Sequence, residues 1–182
     1  YNYWSLTSLN YFFNSISSKI YKVEKIDTHG GSLRVYISKN QKVKIQKSVL
    51  EVLKEEEKFG IKEFKTYKNF EKKILQIKTN VRKNLKNLLN SHKNIVGYGS
   101  PAKATTALNF FGISKEIECI IEDNKLKHGK FIPGVKIPII SKKKLKNNPE
   151  CVLVLAWNFF NEIKKNNQDL SKNFVSISEL KN

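Results

Sequence analysis

Residues 5–19, SLTSLNYFFNSISSK, place apolar side chains at 6, 9, 12, 13 and 16, a spacing that gathers them on one helical face, with Ser5 as N-cap. The next stretch reads differently. YKVEKID carries Tyr21, Val23 and Ile26, THGGS supplies a turn, and LRVYIS alternates Leu33, Val35 and Ile37, so strand, glycine turn and strand predict an antiparallel hairpin. From about residue 46 to 92 the pattern is helical and strongly charged. Val49, Leu50 and Leu53 mark one helix. After a break near Gly60, Phe64, Phe70, Ile74, Ile77, Val81, Leu85, Leu88 and Leu89 mark a second.

Beyond residue 94 short apolar runs alternate with helical ones. A strand at 95–98 leads through a glycine turn into a helix at about 102–111, followed by a strand IECIIED at 117–123 and the loop NKLKHGKFIPG. VKIPII, a short lysine-rich helix at 142–147, the strand CVLVLAW at 151–157, a helix from Asn158 and a last strand NFVSI complete the series. This alternation predicts an α/β fold: a small doubly wound parallel sheet, preceded by a helix, an antiparallel hairpin and two linking helices. Ligands of such sheets bind beyond the carboxyl ends of the strands, which here read GYGSPAK, EDN and AWNF.

The length corresponds to one domain or one and a part, by the usual ~100–200 residues per domain, and 40% hydrophobic residues suffice for a core. No apolar run is long enough to span a membrane, and the start lacks a secretory layout, so a cytoplasmic protein with no membrane partner is expected. Tyr1 at the first position and the absence of Met lead to the expectation of a fragment, with part of the active site ahead of Tyr1. Cys119 and Cys151 sit in apolar stretches and read as small buried hydrophobes, and the three histidines are far apart, so no metal site is expected within the chain.

The formal charge is +18, from 34 basic and 16 acidic residues. Only Arg34 and Arg82 are arginines, whereas a protein that reads base edges and grips phosphates bidentately uses arginine heavily. The lysine excess therefore predicts a weak anion-attracting field and no specific nucleic-acid partner, with a basic nucleic-acid-binding module as an alternative.

Three stretches carry candidate chemistry. In IVGYGSPAKATTALNFFGI, Gly97, Gly99 and Ala102 have the spacing of a dinucleotide-type turn. The glycines permit positive φ and close approach, Pro101 fits a first helical turn, and the helix start offers N–H groups to an anion. Tyr98 sits inside the turn, Lys103 adds a positive charge, and Ser100, Thr105 and Thr106 add hydroxyls; a tight packing turn needs the same glycines. Glu122 or Asp123, about 20 positions on, would suit the ribose of NAD, which keeps an NAD-binding oxidoreductase fragment open as another alternative. In THGGS, Gly30 and Gly31, flanked by His29 and Ser32 and followed by Arg34, would let a polar ligand approach, although a hairpin turn requires glycine anyway. In AWNF, Trp157 can stack and Asn158 can hydrogen-bond, or the indole is simply core.

SLTSL, THGGSLRVY, GYGSPAKATTALNFFGI, EDNKLKHGKFIPGVKIPI and VLVLAWNF follow one another in the order and spacing of S-adenosylmethionine (SAM)-dependent C-methyltransferases of nucleotide-activated deoxysugars, which the chain resembles over nearly its whole length. The resemblance implies three modules: a small N-terminal zinc-binding region, a SAM-binding methyltransferase domain, and a Rossmann-like C-terminal domain that helps to hold the sugar nucleotide. On that template residues 1–40 end the methyltransferase domain, 41–93 form linking helices, and 94–182 form the C-terminal substrate-binding domain. The zinc ligands and most of the SAM site would lie before Tyr1, and the rest of the same polypeptide would be a partner.

The resemblance further implies that the enzyme removes a proton beside a keto group of the sugar and lets the enolate attack the SAM methyl. The base would lie upstream, with His29, Arg34 and Tyr3 as supporting candidates. The nucleotide diphosphate would fall to Gly97, Tyr98, Gly99, Ser100, Pro101, Ala102, Lys103 and Thr106, with Asp123, Trp157, Asn158, Gly30, Gly31 and Ser32 as further substrate-binding candidates. The fragment alone would be inactive. Ser100 stands where the family often has Ala, Ala104 where it often has Gly, and the lysine load is unusual. The apolar side of the hairpin is expected to lack support without the missing sheet.

Overall fold

A computed structural model describes residues 3–182, with His29 by its backbone alone. The chain divides into two compact units, one reaching Glu71 and the other running from Lys72 to Asn182. In the first, α1 (Leu6–Ser15) starts where Ser5 caps the Ser8 amide. It stops short of residue 19 because Ser17 takes φ 54° and the Ser18 amide turns back to the Phe13 carbonyl at 2.9 Å. Lys19 is thereby released into β1 (Lys19–Ile26), which pairs antiparallel with β2 (Ser32–Ser38) around a 3₁₀ turn at Thr28–Gly30. Helix α2 (Lys47–Phe59) ends at Gly60, which is left-handed at φ 76°.

Leu6, Ile20, Val23, Val49 and Val52 form this unit's core. The hairpin is therefore not left without support: α2, read from the sequence as a linking helix, covers its apolar side. The same helix sends the Glu56 carboxylate to the first amides of α1, at 2.7 Å from both Leu6 and Thr7. Helix α1 has no acidic residue in its own first turn, so Glu56 supplies the negative charge that its N-terminus favours.

Helix α3 spans Phe64–Ser91, and its residues from Lys72 onward belong to the second unit. There Ile77, Val81, Leu85, Leu88 and Leu89 pack against one face of a sheet. The sheet comprises β3 (Ile95–Tyr98), β4 (Ile120–Ile121), β5 (Ile139–Ile140), β6 (Cys151–Val154) and β7 (Phe174–Ser176). Helix α4 (Ala102–Phe111) follows β3, and α5 (Phe160–Asn166) follows β6. All pairs are parallel in the order β5-β4-β3-β6-β7, so the winding reverses between β3 and β6. Alternation divides the strands between two cores: Ile95, Ile120 and Leu153 face one side, and Val96, Ile121, Val152 and Val154 face the other. Both faces are covered, which is why β3 and β6 read as continuous apolar runs.

The elements around this frame are shorter than their patterns suggested. Only Ile120 and Ile121 of IECIIED join the ladder. The lysine-rich segment makes one 3₁₀ turn, Lys142–Lys144, after which Leu145 becomes extended and packs on the second core. Trp157–Phe159 is a 3₁₀ turn, and α-helix begins only at Phe160. Both cysteines are buried free thiols, and burial pushes each up to about 11. Among the described residues no helix is long and apolar enough to cross a membrane.

Candidate functional site

A cleft of about 520 Å³ opens at the carboxyl ends of β3, β4 and β6, where the strand order reverses. Tyr98, Gly99, Ser100 and Pro101 form one side, Glu122, Asp123 and Lys127 another, and Phe159, Glu162 and Asn167 a third. The volume is in the range of small-ligand sites, ~300–1,000 Å³.

The two glycines of the turn do different work. Gly97 lies within β3, and an added Cβ would stand 2.8 Å from Ile120 Cγ1 and 3.2 Å from Leu155 Cδ1. It needs no positive φ, so the packing explanation applies to it. Gly99 takes φ 84°, lines the cleft, and would place a Cβ 2.7 Å from that of Ala156. Pro101 is the N-cap rather than the first helical residue, and supplies no capping hydrogen bond to α4.

The Ser100 amide donates to Glu122 Oε2 at 2.8 Å, and the Ser100 hydroxyl donates to the same oxygen. The Asn124 amide reaches Glu122 Oε1 at 3.0 Å, while Lys127 Nζ lies 3.3 Å from Oε2 and donates to the Ser100 carbonyl at 2.9 Å. Burial alone would push this carboxyl up, but the Ser100 hydroxyl, the two amides and Lys127 hold it down at about 2. Glu122 therefore sits as an internal anion in the glycine turn.

Asp123 is arranged otherwise. Tyr98, 3% exposed, points its phenol at Asp123 Oδ1 and Oδ2, at 2.9 and 3.1 Å, with Asn167 Oδ1 at 3.4 Å. Burial and the bond to Asp123 push the phenol up to about 12, so it stays a donor at neutral pH. Lys142 braces Asn167 at 3.2 Å and pairs with Asp169 at 2.7 Å.

The remaining candidates lie elsewhere. Lys103 Nζ stands 4.2 Å from the centroid of the Trp157 ring, a cation–π contact. Trp157 and Asn158 line a separate hollow of about 420 Å³ with Ser176, Ser178 and Glu179. Ala102 and Thr106 are exposed on α4 and do not line the cleft. Gly30, Gly31, Ser32, Arg34 and Tyr3 belong to the first unit. Gly30 and Gly31 take φ 87° and 114°, the Ser32 hydroxyl donates to the Thr28 carbonyl, and Arg34 lies 3.6 Å from Glu24. Tyr3 is exposed, and the His29 side chain lies outside the described residues.

Lys127 and Asn167 were not anticipated. Lys127 reaches the turn because the Asn124 side chain caps the Leu126 amide at 3.0 Å and starts a 3₁₀ turn at Lys125–Lys127. An Asn directly after a strand is the local signal for such a turn.

A parallel sheet wound in this order, with its cleft at the reversal, is of the Rossmann-like class. Residues 27–176 match the C-methyltransferase C-terminal domain family, and the chain belongs to it. The C-methyltransferase NovU of Streptomyces niveus is 32% identical over 176 residues, which is 95% of this chain and 42% of that relative's length.

Proposed function

We propose that the chain is the substrate-binding portion of a SAM-dependent C-methyltransferase of nucleotide-activated keto-deoxysugars, and that the cleft at β3, β4 and β6 holds the nucleotide diphosphate part. SAM supplies the methyl group and is assigned, with the catalytic base, to the remainder of a longer enzyme. On this reading residues 1–40 close the methyltransferase domain, 41–93 link, and 94–182 bind substrate.

The observation that carries the reading is an uncapped helix start at the rim of the cleft. Pro101 lines the cleft and leaves the first N–H groups of α4 without a capping side chain, at the end of the helix where the dipole favours an anion. Lys103, in the first turn, adds a positive charge. Because the Ser100 amide is already bound to Glu122, the diphosphate belongs beside the α4 start and the nucleoside towards Asp123.

Titration with thymidine and uridine diphosphates, NAD and a short DNA duplex at two salt concentrations tests this. Saturable nucleoside diphosphate binding, weakened in Lys103→Ala and without an NAD response, is expected. NAD binding alone would favour the oxidoreductase alternative, and no binding of either diphosphate would overturn the reading.

A further inference from the structure

The polar groups of the cleft are unequally committed. Glu122 is surrounded by the Ser100 amide and hydroxyl, the Asn124 amide and Lys127, so its oxygens are spent within the protein. Among the described residues Asp123 accepts from one phenol, that of Tyr98. Tyr98 has a single proton to give, while an ionised carboxylate has about four acceptor directions, so most of the capacity of Asp123 is left to the cleft. Glu162 adds a third carboxylate to the lining, and Lys127, the lysine there, is turned onto Glu122 and the Ser100 carbonyl. A phosphate brought among these groups would meet like charge and few donors. A neutral, hydroxyl-bearing group would meet acceptors.

Tyr98 itself calls for an explanation. It is the last residue of β3, 3% exposed, packed with Val96, Ile121 and Val154, where a phenylalanine would fill the same space without a polar atom to satisfy. Its hydroxyl reaches both oxygens of Asp123 and ties that carboxylate to the end of β3.

Resting on the nucleotide reading above, we propose that the Asp123 side of the cleft reads a hydroxyl rather than a phosphate: Asp123, held in place by Tyr98 as a positioning residue, accepts from a ribose or deoxyribose hydroxyl of the bound nucleotide. Glu122 fills the seat in the glycine turn that a phosphate would otherwise take. The nucleoside then lies against Asp123, with the diphosphate beside the start of α4.

The test compares thymidine diphosphate with 3′-deoxythymidine diphosphate, and uridine diphosphate with its 2′,3′-dideoxy counterpart, by calorimetric titration of the whole chain. Loss of one hydrogen bond to a partly solvated carboxylate is expected to weaken the deoxy member of the binding pair about five- to ten-fold. Asp123→Ala is expected to bring the two members to equal affinity, and Tyr98→Phe to shrink the ratio part of the way. A merely structural role for Tyr98 would lower both affinities together and leave the ratio unchanged. Diphosphates that bind without discriminating the hydroxyl would overturn this proposal and leave the nucleotide reading standing. Failure of every diphosphate to bind would remove the reading itself.

Discussion

The Ser100 amide and the Ser100 hydroxyl converge on one oxygen of Glu122, so the glycine turn of β3 is closed by a carboxylate from the end of β4. Two strand ends that a ligand would bridge in an open turn are here bridged by the protein.

Glu122 consequently couples this joint to pH. Its folded value, about 2, lies below the ordinary 4.5, so its stabilisation is fully present above pH 4.5 and is lost as pH falls through about 2. Discounted for solvent screening of the partly exposed Lys127 partner, a shift of that size is worth about 1–3 kcal/mol at neutral pH. Glu122→Gln is expected to lose about 1–3 kcal/mol at pH 7, with its deficit against the parent shrinking towards pH 2. Urea unfolding at several pH values checks this, and a deficit independent of pH would contradict it.

The two glycines of the turn should fail differently. In Gly99→Ala the new methyl meets the Ala156 Cβ at 2.7 Å with φ at 84°, so neither the neighbour nor the backbone can yield cheaply. Gly97→Ala meets the side chains of Ile120 and Leu155 at ordinary backbone angles. Overpacking costs about 1–3 kcal/mol, and Gly99→Ala is expected at or above the top of that range, with Gly97→Ala nearer the bottom. Denaturation midpoints rank them, and the reverse order would show that backbone strain at Gly99 is relieved elsewhere.

The lysine excess predicts how the chain meets polyanions. With a formal charge of +18 it should hold duplex DNA weakly at low ionic strength and release it steeply as salt rises, without sequence preference. Fluorescence anisotropy with two unrelated duplexes measures this. A marked preference for one duplex would restore the nucleic-acid alternative.

The sheet was legible because its central strands are buried on both faces. Ile95–Tyr98 and Cys151–Val154 appear as unbroken apolar runs, and Gly99 marks the turn. The strand ends GYGSPAK, EDN and AWNF did contain residues of the cleft. Which residues would spend themselves on each other was not legible. Glu122 and Asp123 are adjacent and chemically alike, yet just past the end of β4 one turns to Ser100 and the other to Tyr98. Lys103 reads as a side chain free in solvent, whereas its ammonium stands over Trp157, 54 positions away. Pairings over such separations leave no periodic trace. Helix α2 escaped recognition as core for a related reason: its apolar stripe is narrow, and the partners of Val49 and Val52 lie on β1 and α1.

The first unit offers a test of how the α1–α2 pairing supports the hairpin. Leu6 is fully buried among Ile20, Val23, Val49 and Val52, and the helix it begins is held by Glu56 through the Leu6 and Thr7 amides at 2.7 Å. Leu6→Ala should cost about 2–5 kcal/mol by cavity formation. Glu56→Ala should cost about 1.5–3 kcal/mol by leaving two helix-start donors without their anion. Because α2 covers the hairpin that α1 also touches, both substitutions should raise amide exchange in β1 and β2, where the parent chain is expected to be protected. Glu56→Gln, which retains acceptors without the charge, should fall between the parent and Glu56→Ala. If β1 and β2 exchange freely in the parent chain as well, the α2 packing does not stabilise the hairpin in solution, and the earlier expectation of an unsupported hairpin would stand.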